Sequence, residues 1–117
     1  MQLQHIKAVI FDLDGTLVDS ALDFATICHD IGWPTGTPLL ERLAQLDNVD
    51  EYNRAHQIIC QHELQGAAGA SWMPGAERCL RQLHRQQMPM AILTRNMRAA
   101  TQLTLQRLQI PIERVLT

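Results

Sequence analysis

A chain of 117 residues is one domain's worth of polypeptide at most, and with 46% hydrophobic residues it can bury a real core. The formal net charge is only −2 and no basic run is present, which argues against nucleic acid as a partner. Three scattered cysteines (Cys28, Cys60, Cys79) without Cys-x-x-Cys spacing argue against a disulfide framework or a thiolate zinc site and favour a reducing compartment. Residues 1–7 carry no long hydrophobic segment. No signal peptide or membrane partner is therefore expected, and the default location is cytoplasmic.

The first element is an unbroken apolar run, Ala8 to Phe11, the pattern of a parallel strand covered on both faces. Asp12 and Asp14 follow at its C-terminal end, and Gly15 permits a sharp reversal. In open parallel sheets ligands bind at the carboxyl ends of the strands. Two carboxylates placed there repel, which usually calls for a bound metal or a chemical task. Asp14-Gly15 alone reads equally as an ordinary turn, or as the cap of a following helix.

Ser20 with Asp23 reads as a capping box, and Phe24, Ile27, Cys28 and Ile31 form one helical stripe. The breakers at 32–36 end that helix. A short helix is expected over about 38–46 with Leu39, Leu40, Leu43 and Leu46 inward, then a turn or cap at Asp47-Asn48. A longer helix follows over about 50–65 with Tyr52, Ala55, Ile58 and Ile59 inward. Residues 66–70, Gly-Ala-Ala-Gly-Ala, suggest a hinge or linker. Pro74-Gly75 starts a helix with the stripe Ala76, Cys79, Leu80 and Leu83. Met90 to Leu93 reads as a second buried strand, with Thr94-Arg95-Asn96 at its C-terminal end. A helix over about 97–108 and a strand beginning at 113–117 complete an α/β pattern with a parallel sheet. The five histidines lack metal-ligand spacing and read as surface residues. Trp33 and Trp72 read as core or hinge packing residues, with substrate stacking left open for Trp72.

The string Phe11-Asp12-Leu13-Asp14-Gly15-Thr16 resembles the first motif of the haloacid dehalogenase (HAD) superfamily, most of whose members are Mg²⁺-dependent phosphohydrolases. The resemblance implies that Asp12 is the nucleophile forming an aspartyl-phosphate. Asp14 would be the acid that protonates the leaving alcohol and then the base that activates water. Asp12 and the Asp14 main-chain carbonyl would ligate Mg²⁺, and Thr16 would help hold the turn beside Gly15. The chemistry suits the spacing, since a carboxylate is a competent nucleophile, a second one can serve as acid then base, and Mg²⁺ prefers hard oxygens. Thr94 matches the second motif, a hydroxyl that hydrogen-bonds a phosphoryl oxygen; read alone, it is a helix cap. Arg95 could bind a substrate anion or project into solvent, and Asn96 could contact substrate or serve only as a cap. The expected fold is a HAD-like Rossmannoid sheet, residues 1–16 and 72–117, with a helical cap over 17–71 hinged at 18–20 and 66–70.

The resemblance then stops. The third motif (a Lys, less often an Arg) and the fourth (an acidic metal-binding pair) have no counterpart after Thr94, where no lysine occurs and Glu113 is the only acid. Lys7, the only lysine of the chain, lies at the wrong end of its strand. The sequence thus reads as the N-terminal portion of a phosphatase of small phosphorylated metabolites, phosphoglycolate- or sugar-phosphate-like, with phosphomutase as a variant. The alternative is a non-catalytic module that self-associates through an exposed sheet edge.

Overall fold

The computed structural model describes residues 5–20 and 22–116. Met1–Gln4 and Thr117, which the sequence reading assigns to the leaderless N-terminus and to the last strand, lie outside the described residues. In chain order the elements are β1 (Val9–Asp12), β2 (Val18–Asp19), α1 (Phe24–Ile31), α2 (Leu39–Ala44) and α3 (Val49–Ala68). They continue with β3 (Ser71–Trp72), α4 (Ala76–Arg85), β4 (Met90–Leu93), α5 (Arg98–Arg107) and β5 (Arg114–Leu116). The strands β1, β4 and β5 form a parallel sheet in the order β1-β4-β5, with Asp12 beside Leu93 and Leu93 beside Leu116.

One face of this sheet is covered. Phe11, Ile92 and Val115 pack there against Leu80 of α4 and Leu105 of α5, together with Leu13, Leu17, Val18, Ile110 and Ile112. The opposite face is bare: Ile10 is 61% exposed, Leu93 52% and Leu116 41%. The expectation of strands covered on both faces is corrected, and the cause is topological. The sheet grows in one direction from β1, so right-handed crossovers place their helices on the same side.

The helical insert has its own apolar cluster of Ile27, Ile31, Leu43, Ala55 and Ile59, with Leu22, Trp33, Leu39, Leu40, Leu46 and Ile58 packed around it. Several local expectations change. Asp23, not Ser20, caps α1, its side chain accepting from the Thr26 N–H. Phe24 and Tyr52 are exposed, and Tyr52 stacks on His56 one turn along. Cys79 is exposed although it follows the α4 stripe. His62 pairs with Asp30 at 2.8 Å, tying α3 to α1. Residues 66–68 are the last turn of α3, so the antiparallel ribbon that joins the insert to the sheet consists of Val18 opposite Trp72 and Asp19 opposite Ser71.

Gly66 is small for a packing reason. A Cβ there would stand 2.9 Å from Leu22 Cδ2 and 3.0 Å from the Ser20 carbonyl oxygen. The side chain can swing away, but the main-chain oxygen cannot.

Three polar ties cross from the insert to the sheet side. Arg107 on α5 donates to the Ala67 and Ala70 carbonyls at the end of α3, at 2.9 and 3.2 Å. Both terminal nitrogens of Arg95 reach Glu41 of α2 at 3.1 Å. Glu63 of α3 accepts from the Met97 N–H, at the N-terminus of α5, at 2.7 Å. Burial pushes the Glu63 carboxyl above its ordinary value of 4.5; the Met97 N–H pulls it back, and nearby Asp14 raises it again.

Two outcomes are expected. Gly66→Ala gains about 1 kcal/mol of helix propensity but forces a contact costing about 1–3 kcal/mol, so thermal unfolding should show a lowered Tm. A raised Tm would mean that residue 66 is not sterically confined. For Glu63, the folded state binds the proton more tightly than the unfolded chain, so stability is lost as pH rises from 4.5 through the raised value. Glu63→Gln keeps an acceptor for Met97 and should flatten that decline in urea titrations across pH 4–8.

Candidate active site

The β1–β4 register brings Asp12 and Thr94 to neighbouring strand ends, because Asp12 stands beside Leu93 and Thr94 follows directly. Beyond Asp12 the chain turns at once. The Leu13 carbonyl accepts from Leu17 N at 3.0 Å and Val18 N at 3.1 Å, and Gly15 N donates to the Val18 carbonyl at 2.8 Å. Gly15 holds φ +77°, a left-handed conformation that a Cβ would strain. Leu13 and Leu17 are almost wholly buried and pin the turn into the core, while Asp12 stays exposed and Asp14 half-buried. Thr16 Oγ1 donates to Asp12 Oδ2 at a long 3.5 Å.

Thr94 is buried. Its N–H donates to the Leu116 carbonyl at 3.0 Å, and its Oγ1 accepts from Asn96 N at 3.1 Å, leaving the hydroxyl proton for another acceptor. The Asn96 side chain donates through Nδ2 to Asp14 Oδ2. Its expected alternative as the helix cap is therefore corrected: Met97 occupies that position, and Asn96 instead fixes one oxygen of Asp14. Arg95 does not line the cavity described below; its exposed side chain pairs with Glu41 at the surface. The same contact lowers the Glu41 carboxyl below its ordinary value, behind a hydrogen bond from its own main chain.

A cavity of about 460 Å³ opens between these strand ends and the helical insert. Asp14, Gly15, Asp19, Ser20, Glu63 and Asn96 supply the polar part of its lining, and Leu22, Phe24, Ile27, Leu39, Leu40 and Ile59 the apolar part; Asp12 and Thr94 are not among the lining residues. Its size falls in the usual range for small-molecule sites. Sequence reasoning missed Asp19 and Glu63. A signal for Glu63 existed: Ala55, Ile59, Glu63 and Ala67 recur every four residues, so the carboxylate continues the inward stripe of α3.

Asp12 and Asp14 offer only hard oxygen donors, which suit Mg²⁺ in kind. They fall short in number, since among the described residues no three His, Cys, Asp or Glu side chains converge as a metal group. Asp12 is exposed, so waters have access to complete a shell. Among the described residues no helix is long and apolar enough to cross a membrane.

Residues 6–114 match the family model of the haloacid dehalogenase-like hydrolases. The chain is 26% identical over 117 residues to a haloacid dehalogenase-like hydrolase domain-containing protein of Arabidopsis thaliana, covering 91% of this chain and 47% of that protein. It is 39% identical over 77 residues to a phosphoglycolate phosphatase of Chromobacterium violaceum, covering 64% of this chain and 35% of that enzyme. A haloacid dehalogenase-like hydrolase of Streptococcus pneumoniae superposes with a TM-score of 0.67 at 26% identity, covering 94% of this chain and 60% of that one. The chain thus spans less than half the length of both curated relatives. With the first-motif aspartates at the ligand-binding rim of a parallel sheet and a family match along nearly its whole length, the chain belongs to the haloacid dehalogenase-like hydrolases.

Proposed function

We propose that this chain carries the nucleophile half of a Mg²⁺-dependent phosphatase site for small phosphorylated metabolites, roofed by the helical insert acting as a cap. The observation that carries the reading is the convergence of Asp12, Asp14, Thr94 and Asn96 on one rim, from strand ends 82 residues apart in the Asp14–Asn96 pair. An Asp12 carboxylate oxygen attacks phosphorus while the bond to the alcohol oxygen breaks, and that oxygen takes its proton from Asp14. Asp14, then a carboxylate, removes a proton from the water that attacks the aspartyl-phosphate; the Asp12 O–P bond breaks and inorganic phosphate leaves. Asn96 orients Asp14 by donating to one carboxyl oxygen, so that the other is free for the proton. Thr94 Oγ, whose acceptor side is engaged by Asn96 N, directs its proton toward a phosphoryl oxygen. Asp12 and the Asp14 main-chain carbonyl would hold Mg²⁺, which supplies positive charge against the phosphoryl oxygens. Between turnovers the ribbon of β2 and β3 would let the cap open for exchange of substrate and product.

A lysine and an acidic pair for the rest of the site do not occur after Thr94. Residues 1–117 alone should therefore hydrolyse a generic aryl phosphate with Mg²⁺ little or not at all. In any longer form of the protein that supplies those groups, turnover should require Mg²⁺ and fall on the order of 10³-fold or more in Asp12→Asn. Robust turnover by the 117-residue chain, lost in Asp12→Asn, would show that the missing groups are dispensable. A longer form indifferent to Asp12→Asn sinks the reading.

The bare sheet face and the open β1 edge favour a second reading for the chain by itself, association with another copy through that edge. Light scattering should then give a mass above 13.3 kDa. Replacing Ile10 and Leu93 together by lysine should weaken association at least about tenfold. A strictly monomeric chain at high concentration removes this reading and leaves the first untouched.

A further inference from the structure

A helix begins with N–H groups that find no partner within it, and its own N-cap and N3 side chains ordinarily accept from them. α1 and α3 follow that rule, each capped by its own N-cap residue, Asp23 and Asn48. α5 does not. It has neither half of a capping box: Met97 stands at N-cap, Ala100 at N3, and the first turn holds no acidic residue. The missing acceptor comes from the insert. Glu63 of α3, 34 residues back in the chain, accepts from the Met97 N–H at 2.7 Å, the bond that a glutamate at N3 would otherwise make. α3 is held in place for this, packing more extensively on α5 than on α1 or α2, with Arg107 of α5 bound to the Ala67 and Ala70 carbonyls just beyond Glu63. A half-buried carboxylate in the otherwise apolar series Ala55, Ile59 and Ala67 costs desolvation that an apolar residue would avoid.

The residue before Met97 gives this contact its consequence. The Asn96 main-chain N–H donates to Thr94 Oγ1 at 3.1 Å, and the Asn96 side chain donates to Asp14 Oδ2. We propose that Glu63 is a positioning residue: by accepting from the Met97 N–H it fixes residues 94–97 from the insert, and so holds Asn96 against Asp14. Asp14 thereby takes up its orientation only while α3 is docked on α5. The role of Asp14 in the reaction rests on the phosphatase reading above, whereas the coupling rests on these hydrogen bonds alone.

The test reads hydrogen bonds rather than turnover, by NMR on the isotopically labelled 117-residue chain. Glu63→Met keeps the length of the side chain and removes the acceptor; Glu63→Gln keeps both. In Glu63→Met, exchange of the Met97 amide with solvent should quicken at least about tenfold. The Asn96 side-chain amide signals should move more than halfway toward those of exposed Asn53, while the buried amides of Ala91 and Ile92 stay in place. Glu63→Gln should leave the Asn96 signals near their native positions and Met97 exchange within about threefold of native. Coupling is reciprocal, so Asn96→Ala, which leaves Glu63 untouched, should quicken Met97 exchange at least about threefold; this arm decides the matter should Glu63→Met fail to fold. Asn96 signals unmoved in Glu63→Met, equal movement in Glu63→Met and Glu63→Gln, or Met97 exchange unchanged in Asn96→Ala each overturn the proposal and leave the phosphatase reading standing. A longer form indifferent to Asp12→Asn removes that reading, and the positioning role with it, while the hydrogen-bond coupling stays as measured.

Discussion

The parallel pairing of β1 with β4 is the constraint on which the site depends. Seventy-seven residues separate the two strands, yet their register sets Asp12 beside Leu93. A slip of one residue would turn Ile92 from the covered face to the bare one and carry Thr94 away from Asp12. Register is held because Phe11, Ile92 and Val115 must all face α4 and α5. The chemistry at the rim is thus fixed by packing one or two residues further down each strand. The Asn96–Asp14 hydrogen bond joins the two strand ends beyond the last ladder pair.

Strand positions and helix order were legible in the sequence because short apolar runs and helical stripes directly report burial. Met90–Leu93 is a strand as the run indicates, and Pro74-Gly75 does precede α4. The ends of elements were less legible. Ser20 and Asp23 are both competent caps, and only the path of the chain past Leu22 selects Asp23. Gly66 reads as part of a hinge or linker, but a glycine inside a helix is equally a place where another backbone comes close, and no local pattern distinguishes these cases. Phe24 and Cys79 follow helical stripes and are nonetheless exposed, because periodicity says which face a residue is on but not whether anything covers that end of it.

In the site, the residues adjoining a strand end were legible and those arriving from the insert were not. Asp12, Asp14, Gly15, Thr16 and Thr94 lie where a strand delivers them. Glu63 reaches the rim only through the docking of α3 against α5, and Glu41 of α2 meets Arg95 from 54 residues away in the chain. Such contacts have no sequence period. Arg95 illustrates the cost: an arginine directly after Thr94 invites an anion-binding role, and in the structure its exposed side chain pairs with a carboxylate of the insert.

That use of Arg95 belongs to a broader pattern in where this chain places positive charge. Arg54 donates to the Asp30 and Ile31 carbonyls at the end of α1, Arg81 to the Leu108 and Gln109 carbonyls after α5, and Arg107 to the Ala67 and Ala70 carbonyls at the end of α3. Each donates to main-chain oxygens at or just past a helix C-terminus, and each opposes the negative end of a helix dipole. These guanidinium groups therefore hold helices to their neighbours, while the cavity keeps Asp14, Asp19 and Glu63 in its wall with Asp12 close by in the turn. Like charges gathered in one wall raise the cost of ionising each, and nearby Asp14 accordingly adds to the upward push that burial gives the Glu63 carboxyl.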